Sequence, residues 1–325
     1  MRVPPVLLIA FNRPDTTAQV FAAIRQARPS VLYVSANAPR PDREGEAERC
    51  AATRQLVTAI DWPCELRTLF RDEHVGVVES LTGAIDWFLG EVSEGIVLED
   101  DVVPVPAFFP FCAAMLDRYR ERDDVFMVGG YNFFPREDVL GHSLSRYPRM
   151  WGWATWADRW RYYDRILPNF EEDFRNLRET GRIAAWDEAF WRKKVGGLRQ
   201  GADSCWDWAW YFTLLKHGGS CVVPSVNLVA NIGVGHPQAT HMNKVDPITV
   251  NDTVGEVDFR DLCDCIPSSP NEDKIFMTRA LMKQKITWIH HLQWSLPDKI
   301  NVILRRIARI SGLYGVGRSI FRLKF

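Results

Sequence analysis

The sequence predicts an α/β fold, a mostly parallel, Rossmann-like sheet flanked by helices with a helical C-terminal extension. Three observations carry that expectation. Apolar runs of strand length alternate with helix-length segments through the first 125 residues. Several of these runs are continuously apolar, as in parallel strands covered on both faces. Polar segments, NRPD, SANAP and LEDD, close the runs, and open α/β sheets bind ligands beyond the carboxyl ends of their strands.

Residues 4–11, PPVLLIAF, form the first run. In the following NRPD, proline disfavours helical geometry at Arg13 but suits a first helical position, so a helix is expected from Pro14 through AQVFAAIRQA. VLYVSA, residues 31–36, repeats the pattern and leads through a polar, proline-bearing loop to a helical stretch over about 46–60. CELRTLF is the third strand, VVESLTGAIDWFLGEV the third helix, and GIVLEDD the fourth strand. PAFFPFCAAMLDRYRER reads as a helix, DVFMVGGYN as a strand ending in a glycine turn, and SCVVPSVNLVA, residues 220–230, as a further strand. NIGVGHPQATH follows as a glycine- and histidine-bearing loop.

A formal net charge of −1 excludes a general electrostatic attraction to nucleic acid, and none is expected as a partner. The seven cysteines are odd in number and include no C-x-x-C pair, which favours reduced thiols. No run approaches 18 uninterrupted apolar residues, and the N-terminus lacks a secretory hydrophobic core and cleavage site. A cytoplasmic protein is expected, or one at the inner face of the cytoplasmic membrane. After Asp298 the chain carries seven Lys or Arg and no acid. The favoured reading of this tail is a basic amphipathic helix in peripheral contact with an anionic membrane, and the alternative is a helix docked on its own domain.

Glu99, Asp100 and Asp101 place three carboxylates at the end of an apolar strand, where mutual repulsion calls for solvent or a cation. Mn²⁺ or Mg²⁺ takes oxygen ligands, commonly one or two carboxylates together with substrate phosphates and water. Strand alternation puts Glu99 and Asp101 on one face and Asp100 on the other. A solvated strand end is the competing reading. Arg13, with neighbouring Asn12 in the first βα turn, is placed to meet a diphosphate. Asn37 either reads a nucleobase edge or serves as a turn residue. Arg71 and His74 close the third strand at the same edge. Nine of the thirteen tryptophans lie between Trp151 and Trp210, which marks the second half for an acceptor. There Asp207 sits between Trp206 and Trp208, suited to act as a general base, with aromatic faces for sugar stacking or for core filling. His236 belongs either to a lid that completes the metal site or to a simple turn.

These stretches, LLIAFNRPD, YVSANAP, VLEDDVVPVPAFFPFC, the W-G-W at 151–153 and CWDWAW at 205–210, resemble the GT-A glycosyltransferases. The likeness is to the N-acetylglucosaminyltransferases that branch N-glycans and to bacterial nucleotide-diphospho-sugar transferases, over roughly residues 4–245. The resemblance implies an inverting, metal-dependent transfer from a nucleotide-sugar, UDP-linked by preference, to a glycan or lipid-linked saccharide. It implies Asp101 as a direct metal ligand, Glu99 and Asp100 at the ribose or at metal-bound water, and Arg13 at the diphosphate. It further implies a donor contact from Trp153 and Asp207 as base. Asn37 departs from the family's base-reading acid, and Trp206 replaces another family acid. The expected organisation is a GT-A domain over 1–255, with a nucleotide-sugar half (1–125) and an acceptor half (126–255), then an extension over 256–325. A metal-dependent nucleotidyltransferase or phosphohydrolase, and a non-catalytic glycan-binding protein of the same fold, are the alternatives.

Overall fold

The computed structural model describes residues 2–136, 140–184, 188–201, 205–238, 257–266 and 272–278. Its first half follows the sequence pattern closely. β1 (Val6–Ala10) leads to α1 (Pro14–Ala27), which has proline at its start, and then come β2 (Val31–Ala36), α2 (Glu46–Thr58) and β3 (Glu65–Phe70). α3 (Val77–Glu91), β4 (Glu94–Glu99), the short β5 (Val102–Pro104), α4 (Phe108–Tyr119) and β6 (Val125–Gly129) complete this half. β7 (His142–Ser145), β8 (Trp153–Trp156) and α5 (Ala157–Trp160) follow, then α6 (Phe170–Glu179), α7 (Glu188–Arg199) and α8 (Asp207–His217). β9 (Ser220–Pro224), β10 (Val229–Asn231), a 3-10 turn (Phe259–Cys263) and α9 (Glu272–Phe276) end the described chain.

An eight-stranded sheet has the order β3-β2-β1-β4-β8-β6-β9-β7. β1 pairs in parallel with both β2 and β4, while β8 runs antiparallel between β4 and β6 and β7 antiparallel at the far edge. The chain therefore winds outward from β1 to β3 and returns to place β4 on the other flank of β1. That reversal opens a crevice at the carboxyl ends of β1 and β4, where doubly wound sheets hold their ligands.

One expected strand is two. Pro224, which has no N–H for a ladder, ends β9, and the chain reaches Val229 before pairing again, now antiparallel with β5. This small ladder matters because it sets Asn231 opposite Val102, immediately after the acidic triplet.

Both faces of the sheet are covered. Val20, Phe21 and Ile24 of α1 and the phenylalanines of α4 pack on Leu8, Val34 and Leu98. Ile85 and Phe88 of α3 and Trp206 and Trp210 near α8 pack on the opposite face against Leu7, Ile9, Val97 and Trp153. α8 is buried continuously from Trp208 to Leu215 because it lies between that face and a third cluster, built with Phe174 and Trp191. The segment assigned to the start of the C-terminal extension is built into this body. Leu262, Phe276 and Met277 are fully buried, and Asp273 accepts from Ser145 Oγ at 2.6 Å. The basic tail beyond lies outside the described residues. Among the described residues no helix is long and apolar enough to cross a membrane. All seven cysteines are free thiols, and burial raises the pKa of Cys50, to about 11, and of Cys221, to about 12.

Candidate functional site

The turn after β1 and the turn after β4 meet at the crevice. Arg13 Nη1 contacts Asp101 Oδ2 at 2.7 Å, and Nη2 ion-pairs with Asp100 Oδ1. Asp100 Oδ2 also accepts from the Phe11 backbone N–H at 3.1 Å. The alternation expected for the triplet is overturned: β4 ends at Glu99 and the backbone turns at Asp100 and Asp101, so both aspartates face one guanidinium. Burial works against the charge on Arg13, but its two carboxylate partners outweigh it and hold its pKa above the ordinary value.

Glu99 remains on the α3 and α8 face of the sheet and has no hydrogen bond or ion pair among the described residues. Its pKa is pushed up to about 8, first by burial and then by the fields of Asp101, Asp100 and Asp207. Burial likewise raises Asp100, to about 6, against the pull of Arg13. Asp100 and Asp101 thus share one guanidinium, and Glu99 lies in the fields of both and of Asp207.

The pH consequence has a definite sign. Both acids bind protons more tightly folded than unfolded, so their contribution to stability is fully present below about pH 4 and is lost as pH rises through 6 and 8. Glu99→Gln is expected to match the parent near pH 4 and to exceed it at pH 8.5 in chelator. A gain of about 1 kcal/mol corresponds to a Tm rise of about 2–4 °C. Parallel Tm-against-pH curves for the two proteins would contradict this.

Asp207 is the first residue of α8, whose N-terminus favours a negative side chain. The flanking tryptophans do not offer sugar-stacking faces. Trp206 is 7% and Trp208 9% exposed, and they enter the apolar clusters on opposite sides of α8. Trp153, expected at the donor, is also corrected: it is 1% exposed in β8 and packs among Trp160, Trp206 and Trp210.

The loop after β10 lies across the triplet. Ile232 N–H donates to the Asp101 carbonyl at 2.8 Å, and a Cβ at Gly233 would stand 2.0 Å from Asp101 Oδ2. Only glycine permits this approach. Gly233→Ala is therefore expected to displace Asp101 or the loop and to cost about 1–3 kcal/mol of stability; an unchanged denaturation midpoint would refute the close contact. His236 bonds to Asp15 in this structure. Its Nδ1 accepts from the Gln238 N–H at 3.2 Å, so Nε2 carries the proton and donates to Asp15 Oδ2 at 3.1 Å. That bond is also the main reason the Asp15 carboxyl is held below its usual pKa.

The remaining expected residues build the rim. Asn12 is buried and donates to Glu46 Oε1 at 2.8 Å, making it a loop anchor. The Asn37 amide donates to the Val75 carbonyl at 2.8 Å and accepts from Ala38 and Val75 N–H, which ties the β2 loop to the loop before α3. Arg71 turns its guanidinium along α3 toward the Glu79 carbonyl, away from the triplet's ion pairs. His74 Nδ1 donates to the Ala38 carbonyl at 2.7 Å, and its ring lies 5.5 Å from Phe11. Phe11, Arg40, Glu46 and Gly233 were missed by sequence reasoning. Arg40 lies 5.7 Å over the Phe11 ring and ion-pairs with buried Glu46, whose pKa is lowered to about 2, chiefly by the Arg40 hydrogen bond. The only available signal was the glycine pair in NIGVG.

No protein-family model matches the chain, and no curated protein matches it. Similar solved structures include HddC from Yersinia pseudotuberculosis, 10% identical with a TM-score of 0.29 over 48% of this chain and 77% of that one. The inositol-1-phosphate CTP transferase from T. maritima is 7% identical with a TM-score of 0.25, over 45% and 55% of the respective chains. The glycosyltransferase GlyE of Streptococcus pneumoniae TIGR4 is 9% identical with a TM-score of 0.29, over 59% and 43%. Likeness at this level carries no argument about activity, which rests on the site itself.

Proposed function

We propose that the chain is a transferase that moves a sugar from a nucleoside-diphosphate sugar to a hydroxyl of a glycan or lipid-linked saccharide, with inversion. The observation that carries this reading is the meeting of Arg13 with Asp100 and Asp101, 87 and 88 positions away, at the sheet's switch point with Asp207 nearby.

Arg13 sits at the start of α1, where helix N–H groups and a guanidinium together suit a diphosphate. Phe11, flanked by His74 and Arg40, borders the same crevice. The excess of carboxyl groups over cations fits a hard divalent ion such as Mn²⁺ or Mg²⁺. Among the described residues no three acid, histidine or cysteine side chains form a complete ligand set. Asp100 and Asp101 would therefore hold the ion together with diphosphate oxygens and water, a usual arrangement for magnesium. When bound, the ion would neutralise charge on the departing diphosphate. Asp207 takes the proton from the acceptor hydroxyl. Asn12, Glu46 and Arg40 hold the loop beside Phe11 in place. The proposed division of labour puts the donor on the first half of the chain and the acceptor against the second.

The test is a thermal-shift panel of UDP-, GDP-, CMP- and dTDP-sugars with Mn²⁺ present or chelated, followed by hydrolysis without acceptor. One nucleotide-sugar is expected to raise the Tm only with metal, and Asp101→Ala to abolish that shift. A panel with no response removes the reading; binding without metal-stimulated hydrolysis turns it toward a glycan- or nucleotide-binding protein.

A further inference from the structure

We infer that Arg13 is the resident counter-cation of the Asp100 and Asp101 pair, and that it leaves the pair when a divalent ion and a diphosphate are taken up together. The diphosphate half of this inference rests on the proposed function; the metal half does not.

Three observations support it. The guanidinium divides its two Nη atoms between the two carboxylates, as one cation neutralising both. The remaining approaches are restricted, because Asp100 Oδ2 is taken by the Phe11 N–H and the Gly233 backbone lies against Asp101 Oδ2. Finally, Asp100 and Asp101 are the only acids that ion-pair with Arg13 among the described residues, so no third carboxylate retains it.

The charges then oppose either ligand alone. A divalent ion approaching the pair meets a guanidinium already on the same oxygens, and like charges a few ångströms apart repel. A diphosphate approaching without an ion meets Arg13 already neutralised by Asp100 and Asp101. Together the two ligands compensate each other. Arg13 exchanges carboxylate oxygens for phosphate oxygens and keeps its charge-assisted hydrogen bonds, while the carboxylates gain the ion. Such coupling is reciprocal: each ligand tightens the other by the same factor.

The experiment is calorimetric titration of the full chain, parent, Arg13→Gln and Arg13→Lys, with MnCl₂ alone and then with MnCl₂ in the presence of UDP. Arg13→Gln is expected to bind Mn²⁺ alone about tenfold or more tightly than the parent, within the usual span of coupling between sites. Arg13→Lys, which reaches only one carboxylate, should fall between them. In the parent, UDP should tighten Mn²⁺ by a comparable factor, and this effect should shrink in Arg13→Gln. Mn²⁺ affinity that is equal to or weaker than the parent's in both variants overturns the inference, as does Mn²⁺ binding to none of the three proteins. If Arg13→Gln does not fold, Arg13→Lys decides the same comparison. UDP binding to no form would remove the UDP preference, and no response to the whole nucleotide-sugar panel the proposed function, while the metal-alone titrations still judge Arg13.

Discussion

Asp207→Asn is expected to bind donor about as tightly as the parent and to lose turnover by about 10²–10⁴-fold, the usual contribution of a positioned general base. The substitution keeps the side chain's shape and removes its ability to accept a proton. Position is not expected to change, because α8 is buried from Trp208 to Leu215 between two apolar clusters and holds its first residue rigidly. The negative field that Asp207 places on Glu99 would also disappear, so Glu99 should titrate at lower pH in the variant. Single-turnover rates and donor titrations separate the outcomes. Turnover at the parent rate would remove Asp207 as the base, whereas loss of donor affinity with unchanged turnover would move it to the donor side.

Trp153→Ala is expected to cost about 3–5 kcal/mol of stability, as for other large aromatic deletions in cores, and to leave donor affinity unchanged in the folded fraction. The indole is 1% exposed and contacts Trp160, Trp206 and Trp210 on the face of the sheet that α8 covers. Removing it leaves a cavity beneath the helix that carries Asp207. Trp153→Phe should cost less and preserve turnover. Denaturant midpoints and donor titrations provide the check: a weakened donor affinity with parental stability would return Trp153 to the donor site.

These two residues show where sequence reasoning held and where it stopped. The β1 turn and the β4 turn were both legible, because continuous apolar runs followed by polar, proline-bearing turns are local signals, and Pro14 marks its helix start within one residue. Their meeting followed from the rule that such ends gather at one edge of a parallel sheet. The facing of the triplet was not legible. It depends on β4 ending at Glu99, and strand alternation describes side chains only while the strand continues. The tryptophans were ambiguous for a related reason: an indole suits a sugar face and a packed core equally, and composition does not say which side of α8 or β8 will be covered. The partner of His236 was also out of reach. Asp15 lies 221 positions away, brought near only because β10 pairs with β5 and carries its loop back over α1.

By itself the sequence determined the alternating elements, the mostly parallel sheet and the delivery of Arg13 and three acids to strand ends, since each follows from patterns spanning a few residues. The tertiary structure decided which acids share the guanidinium, which tryptophans became core, and how Gly233 comes to lie on Asp101. Those outcomes depend on contacts between segments far apart in the chain, where packing and desolvation, rather than local preference, select the arrangement.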